Sequence, residues 1–171
     1  MSAGPGVAGA EPVIAVIALG SNLGDREATL ERAVAALDGL PESSIHAVSP
    51  WHGTVALTPE GLDPEKPQYL NGVALLQTSL DPAALLAALH RIEHDNGRER
   101  VEQWGDRTLD LDIVAYGDLV LVTPDLTVPH PRAHERDFVL APWLDVQPDA
   151  ELAGHGPVSE LLSALREGSA S

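Results

Sequence analysis

The run VIAVIALG, Val13–Gly20, carries no polar side chain, is rich in β-branched residues and ends on glycine. Such a run reads as a strand buried on both faces. A strand of that kind needs an apolar layer on each side of its sheet, which limits the architectures open to the chain. The flanking patterns supply those layers. Asp25 can cap a helix bearing Leu30, Val34 and Leu37 at helical spacing, with Gly39 as its stop. Ser44–Leu57 reads as one or two short strands, and Thr58–Gln68, with three prolines and a glycine, as a loop. Tyr69–Leu80 is a second long strand. Asp81-Pro82 then forms a helix start, cap followed by first-turn proline, for a helix with Leu85, Leu86, Leu89 and Ile92 on its buried stripe and Gly97 at its end. A third strand, RTLDLDIV (Arg107–Val114), precedes a Gly117-Asp118 turn and LVLVT as a returning hairpin strand. Val128–Val146 is expected to turn helical near Arg132, and Gly156–Glu167 to form an amphipathic helix.

This order predicts an α+β chain: a ferredoxin-like βαββαβ core in an α/β/α sandwich, with an added hairpin and C-terminal helices. Residues 13–167 are expected to form one domain, after a disordered lead-in at 1–12 and before a frayed end at 168–171. The lead-in has no basic residue ahead of a hydrophobic stretch, so it does not read as a signal peptide.

Charge narrows the function. The 171 residues carry a formal net charge of −16, which repels nucleic acid and anionic membranes. The positive charge that exists is gathered: Arg98, Arg100 and Arg107 on one loop, Arg132 and Arg136 on another, together half of the 10 Lys and Arg. The absence of cysteine removes thiolate chemistry and fits a cytoplasmic protein. Lys66 is the only lysine and no phosphate-binding P-loop motif occurs.

Within RTLDLDIV, Leu109, Leu111 and Ile113 should face the core while Asp110 and Asp112 share the other face, roughly 7 Å apart. At an effective dielectric near 20 they repel by about 2 kcal/mol. A divalent cation reverses that cost, and hard oxygen ligands suit Mg²⁺, which takes one or two carboxylates together with phosphate oxygens and water. D-x-D alone fits an ordinary solvent-facing strand better than a metal site, and a two-metal nuclease also uses paired aspartates. The arginine clusters on either side favour phosphoryl transfer, and the acidic surface disfavours a nuclease.

With these residues in view, the chain resembles the 6-hydroxymethyl-7,8-dihydropterin pyrophosphokinase family of folate biosynthesis. The resemblance rests on WGDRTLDLDIVAYG, supported in order by IALGSNLGD, YLNGVALLQTSL, RIEHDNGRER and TVPHPRAHERDFVLAPW. It implies a ferredoxin-like fold and pyrophosphate transfer from ATP to the pterin hydroxymethyl group, with release of AMP. It further implies two Mg²⁺ ions on Asp110 and Asp112, with Arg98 and Arg107 as catalytic partners. Nucleotide contacts fall on His90, Glu93, Arg98, Arg107, His130 and Arg136. Pterin contacts fall on Thr54, Val55, Leu57, Tyr69, Asn71, Asp110 and Phe138, with the ring stacked between Tyr69 and Phe138 and its amide-like edge read by Asn71. Arg100 and Trp104 fall on a loop that closes over the substrates. A monomer without nucleic-acid or membrane partners is expected. Tyr69 and Phe138 also fit as core aromatics and Glu93 as a solvated helix residue. Trp51 and Trp143 read as packing, and His134 and His155 as surface residues without a role. Three residues depart from the family pattern: Gln103 and Asp125 where basic residues occur, and Asp106, in place of a proline or small residue, beside Arg107. The loop Thr58–Gln68 is longer than in compact members.

Overall fold

The structure, a computed structural model, describes residues 11–21, 26–54, 57–58, 61–62, 69–97 and 109–170. Its elements are β1 (Val13–Ser21), α1 (Arg26–Asp38), β2 (Ser43–Val48), β3 (His52–Thr54), β4 (Leu57–Thr58), β5 (Gly61–Leu62), β6 (Tyr69–Thr78), α2 (Pro82–Gly97), β7 (Asp110–Tyr116), β8 (Leu121–Val122), β9 (Thr127–Val128), a 3-10 turn (Ala133–Glu135), α3 (Asp137–Val146), β10 (Glu151–Leu152), β11 (Gly156–Pro157) and α4 (Val158–Ala170). The main sheet has the order β2-β6-β1-β7 with β3 extending the pairing along β6, and all of these pairs are antiparallel. Taking β2 with β3 as one broken strand, this is the βαββαβ ferredoxin-like topology expected from the order of the sequence patterns.

β1 is central and buried on both faces, as its composition requires. Ala15, Ile17 and Leu19 pack with Leu30, Ala33 and Leu37 of α1 and Leu85, Leu89 and Ile92 of α2. Val16 lies on the other side, in a second core with Val73, Leu75, Val139, Leu140, Trp143 and Leu162. Helix limits follow local chemistry. Asp81 Oδ1 accepts from Ala84 N at 2.7 Å, completing the cap before Pro82. Gly39 N donates to Ala35 O and Ala36 O at the end of α1. Trp143 is buried and its Nε1 donates to Gln147 Oε1 at 2.8 Å, so its role is packing.

Two expectations about connections are corrected. LVLVT does not return along β7: β8 pairs with β9, Leu121 opposite Val128. The turn after β7 does form, with Gly117 at φ 55° and Leu119 N donating to Tyr116 O. The chain then leaves the sheet instead of pairing back, exposing Val120 and Val122. The proline-rich segment expected to be loop throughout contains a short ladder, β4 against β5. One small sheet, β10 with β11, has no counterpart in the sequence reading. At the adjoining turn His155 stacks on His134 with ring centroids 4.2 Å apart, so these two side chains pack on each other.

Candidate active site

The face of the sheet toward α3 changes character along its length. Registers place Leu75 and Ala115 beside Val16, Val73 and Asp112 beside Ala18, and Asn71 and Asp110 beside Gly20. The first row is core. In the next two the central residue shrinks to alanine and then glycine, so β1 gives little or no side chain to the space between β6 and β7. With strands about 4.8 Å apart, Asn71 and Asp110 flank Gly20 across roughly 10 Å. The space is a cleft of about 490 Å³ lined by Ala18, Gly20, Asn71, Asp110, Asp112 and Phe138, with His90, Glu93 and Arg136 at its sides.

The carboxylates arrive there as strand periodicity requires. Leu109, Leu111 and Ile113 are buried against α1 and α2. Asp110 and Asp112 are half-buried on the opposite face. A bulge at Val114, between the pairs Ile17–Ile113 and Val16–Ala115, then puts Val114 and Ala115 together in the α3 core and returns Tyr116 to the α1/α2 side. The Tyr116 hydroxyl donates to Leu80 O, and burial, followed by the Asp81 charge, raises its pKa above 10.0.

The start of α3 supplies the cleft's other wall. Phe138 is 37% exposed in the helix's first turn, with the Arg136 guanidinium 5.7 Å from its ring centroid. It is therefore an exposed aromatic, not a core one. Asn71 is 8% exposed, a buried carboxamide on the facing strand. Thr54, Leu57 and Tyr69 are described by their backbone: Thr54 pairs with Tyr69, and His52 with Asn71. His52 Nε2 meets Asp145 Oδ2 at 2.6 Å, tying β3 to α3.

Glu93 sits differently from a solvated helix residue. Its Oε2 accepts from Leu111 N at 2.7 Å, so a carboxylate of α2 holds the amide between Asp110 and Asp112 on the sheet's edge strand.

A second cleft of about 300 Å³ lies beyond β7, lined by Leu86, His90, Asp112, Thr123, Asp125 and His130 among others. Asp112 and His90 line both clefts. His130 Nδ1 accepts from Arg132 N at 3.1 Å, which makes Nε2 the protonated nitrogen of the neutral ring. Burial lowers the His130 pKa; Asp112 opposes that shift, and Arg136 and Arg132 add to it.

Of the residues singled out in the sequence, Asp110, Asp112, Asn71, Phe138, Arg136, His90 and Glu93 line the first cleft and His130 the second. Val55, Arg98, Arg100, Trp104 and Arg107, and the departures Gln103 and Asp106, lie outside the described residues. Asp125 lines the second cleft. The sequence reading placed Gly20 near the site but missed Ala18 of the floor, whose signal was the step to small residues at the end of an otherwise bulky strand. Around Asp125 it missed Thr123, Pro124, Leu126 and Thr127, which line the second cleft. Among the described residues no three His, Asp or Glu side chains are grouped to hold a metal, and no helix is long and apolar enough to cross a membrane.

A ferredoxin-like sheet with a carboxylate pair on one strand, one member of which lines two clefts, suits an enzyme of the two-substrate transferase class. Comparison with known proteins makes this specific. Residues 16–148 match the profile of the 7,8-dihydro-6-hydroxymethylpterin-pyrophosphokinase (HPPK) family. The chain is 43% identical over 148 residues to a 2-amino-4-hydroxy-6-hydroxymethyldihydropteridine pyrophosphokinase of Pseudomonas aeruginosa, covering 86% of this chain and 89% of that one. It is 44% identical over 133 residues to the protein of that name from Bacillus subtilis, covering 78% and 77%. Among solved structures, an HPPK-DHPS in complex with substrates aligns with TM-score 0.70 at 14% identity, over 92% of this chain and 44% of the other. The wild-type HPPK-DHPS of Plasmodium falciparum with pteroate aligns with TM-score 0.68 at 12% identity, over 94% and 46%. The chain thus spans less than half the length of those structures, and at such identities they support the fold alone. The chain belongs to the 7,8-dihydro-6-hydroxymethylpterin-pyrophosphokinase family. Its activity is the family's, pyrophosphate transfer to hydroxymethyldihydropterin in folate biosynthesis.

Proposed function

We propose that the first cleft takes 6-hydroxymethyl-7,8-dihydropterin, that the second takes ATP, and that Asp112, which lines both, marks where pyrophosphate crosses between them. That shared residue is the observation carrying the reading. The flat ring would lie over Gly20 against Phe138, with Tyr69 as the opposing aromatic. An offset aromatic pair contributes ~0.5–1.5 kcal/mol beyond area burial. The Asn71 carboxamide offers both donors and an acceptor to the ring's amide-like edge.

ATP phosphates would reach the carboxylates past His90 and His130, with Arg136, Arg98 and Arg107 neutralising their charge. The neutral His130, with Nε2 protonated, is a donor toward a phosphate. The pterin hydroxyl oxygen bonds to the β-phosphorus as the α–β bridging bond breaks in line; its proton is released and AMP leaves. Water exclusion falls to the loop carrying Arg100 and Trp104, which protects ATP from hydrolysis.

Two half-buried carboxylates, with no third acidic or histidine ligand grouped with them among the described residues, fit Mg²⁺ that arrives with nucleotide oxygens and keeps waters. Asp110 and Asp112 would hold two such ions, whose charge would stabilise the phosphates and lower the hydroxyl pKa. The test is Asp110→Ala or Asp112→Ala, assayed by AMP release from Mg-ATP with the pterin. Each should lower turnover by at least about a hundredfold, since several kcal/mol of transition-state stabilisation is removed, while the folded state persists. Full activity in either variant overturns the assignment.

A further inference from the structure

The register beside Asn71 is interrupted. β2 pairs with β6 as far as Val48 opposite Ala74, and β3 resumes with His52 opposite Asn71. Three residues, Ser49, Pro50 and Trp51, therefore face two, Gly72 and Val73, so the segment is a bulge with one extra residue. Proline, which has no N–H to give a ladder, is suited to it. Ser49 serves Val73 twice: its N donates to Val73 O at 2.9 Å and its Oγ accepts from Val73 N at 3.0 Å. The Ser49 hydroxyl donates onward to Pro50 O at 2.8 Å. Trp51 fills the remaining gap. Its ring lies against the bare face of Gly72, where an added Cβ would come within 2.4 Å of Cε3, 2.5 Å of Cζ3 and 3.0 Å of Ser49 Oγ. Ordinary contact begins at 3.4 Å, so a methyl there forces a shift of about 1 Å in the ring or the strand. The ring packs, partly buried, against the α1/α2 core. Gly72 and Asn71 are consecutive in β6, so their side chains leave opposite faces. The ring thus backs the strand directly behind the cleft.

We propose that Trp51 is a positioning residue. Its ring, seated on Gly72 within the Ser49–Trp51 bulge, sets the height of Asn71 in the cleft and so governs binding of the pterin and not of the nucleotide. This rests on the reading of Asn71 as the pterin-binding carboxamide. The experiment compares the full-length chain with Asn71→Ala, Gly72→Ala, and Gly72→Ala combined with Trp51→Phe, measuring KM for 6-hydroxymethyl-7,8-dihydropterin and for Mg-ATP in each. A misplacement near 1 Å can cost about a hundredfold, so Gly72→Ala should raise the pterin KM by roughly ten- to a hundredfold, with the ATP KM within about twofold of wild type. The smaller ring of the double variant should recover most of the loss. Equal rises in both KM values, or no recovery with phenylalanine, overturn the proposal. If Gly72→Ala fails to fold, Trp51→Leu provides the same split: a raised pterin KM with unchanged ATP KM supports the positioning role, and an unchanged pterin KM refutes it. Should Asn71→Ala leave the pterin KM unaltered, the reading of the site itself fails, an outcome distinct from failure of the Trp51 contact alone.

Discussion

Glu93→Ala tests how the carboxylate pair is held. Among the described residues β7 is the last strand of the sheet, so the Leu111 amide finds no further strand there; Glu93 Oε2 accepts from it at 2.7 Å. Leu111 is 4% exposed, and without that acceptor its N–H is left poorly solvated. A hydrogen bond to a charged group contributes about 1.5–3 kcal/mol net. In a chain of this size each kcal/mol moves the melting temperature by about 2–4 °C, so Glu93→Ala should lower it by roughly 3–12 °C. Glu93→Gln keeps an acceptor oxygen and loses the charge. Charge-assisted bonds are roughly twice as strong as neutral ones, so it should cost about half as much.

The assay is thermal unfolding of the substrate-free protein, paired with AMP-release kinetics. Leu111 lies between Asp110 and Asp112, so loosening its amide should lower turnover as well as stability. If Glu93 acted only as a nucleotide contact, Glu93→Ala would raise the ATP KM and leave the melting temperature of the substrate-free protein unshifted. That result, or a Gln variant as damaged as the Ala variant, refutes the strand-pinning argument.

Two further outcomes are expected. Phe138→Ala should weaken pterin binding more than ATP binding by isothermal titration, since the exposed ring faces the first cleft; equal losses would argue against stacking. His130, its pKa lowered from 6.5 chiefly by burial, should titrate below that value when its ring protons are followed by NMR. In the interval between the folded and unfolded pKa values the unfolded chain binds more protons. The contribution of His130 to stability is therefore full above pH 6.5 and is lost as pH falls through the folded value. A titration midpoint at or above 6.5 would contradict it.

The sequence was most legible where one period ran unbroken. The two-faced burial of β1, the cap at Asp81-Pro82 and the alternation that separates Leu109, Leu111 and Ile113 from Asp110 and Asp112 follow from residue order, and the structure has all three. It was least legible where the period breaks. The Val114 bulge turns Val114 and Ala115 to one side, which alternation forbids. The Ser49–Trp51 bulge is visible only once β2, β3 and β6 are paired. LVLVT carries strand composition after a turn, yet its partner is β9, only five to seven residues further on, and Thr123 N donating to Leu126 O closes the turn between them. Glu93 read as a surface residue or a nucleotide contact because its acceptor role depends on where α2 meets the edge of β7.

Position of the cleft follows from one strand. Along the α3 side of β1 the residues run Val16, Ala18, Gly20, a taper from a branched side chain to none. Over Val16 the space is filled by Leu140 and Trp143; over Gly20 it is open and bounded by Asn71, Asp110 and Phe138. On the opposite side of the same strand Ala15, Ile17 and Leu19 remain buried throughout, so the sheet keeps its α1/α2 core under the cleft. The taper thus removes side-chain volume from one face only. It leaves the backbone that carries Asp110 and Asn71 anchored from below, so under the proposed function a flat ring and a polyphosphate could meet at the carboxylate pair over a packed floor without loss of room.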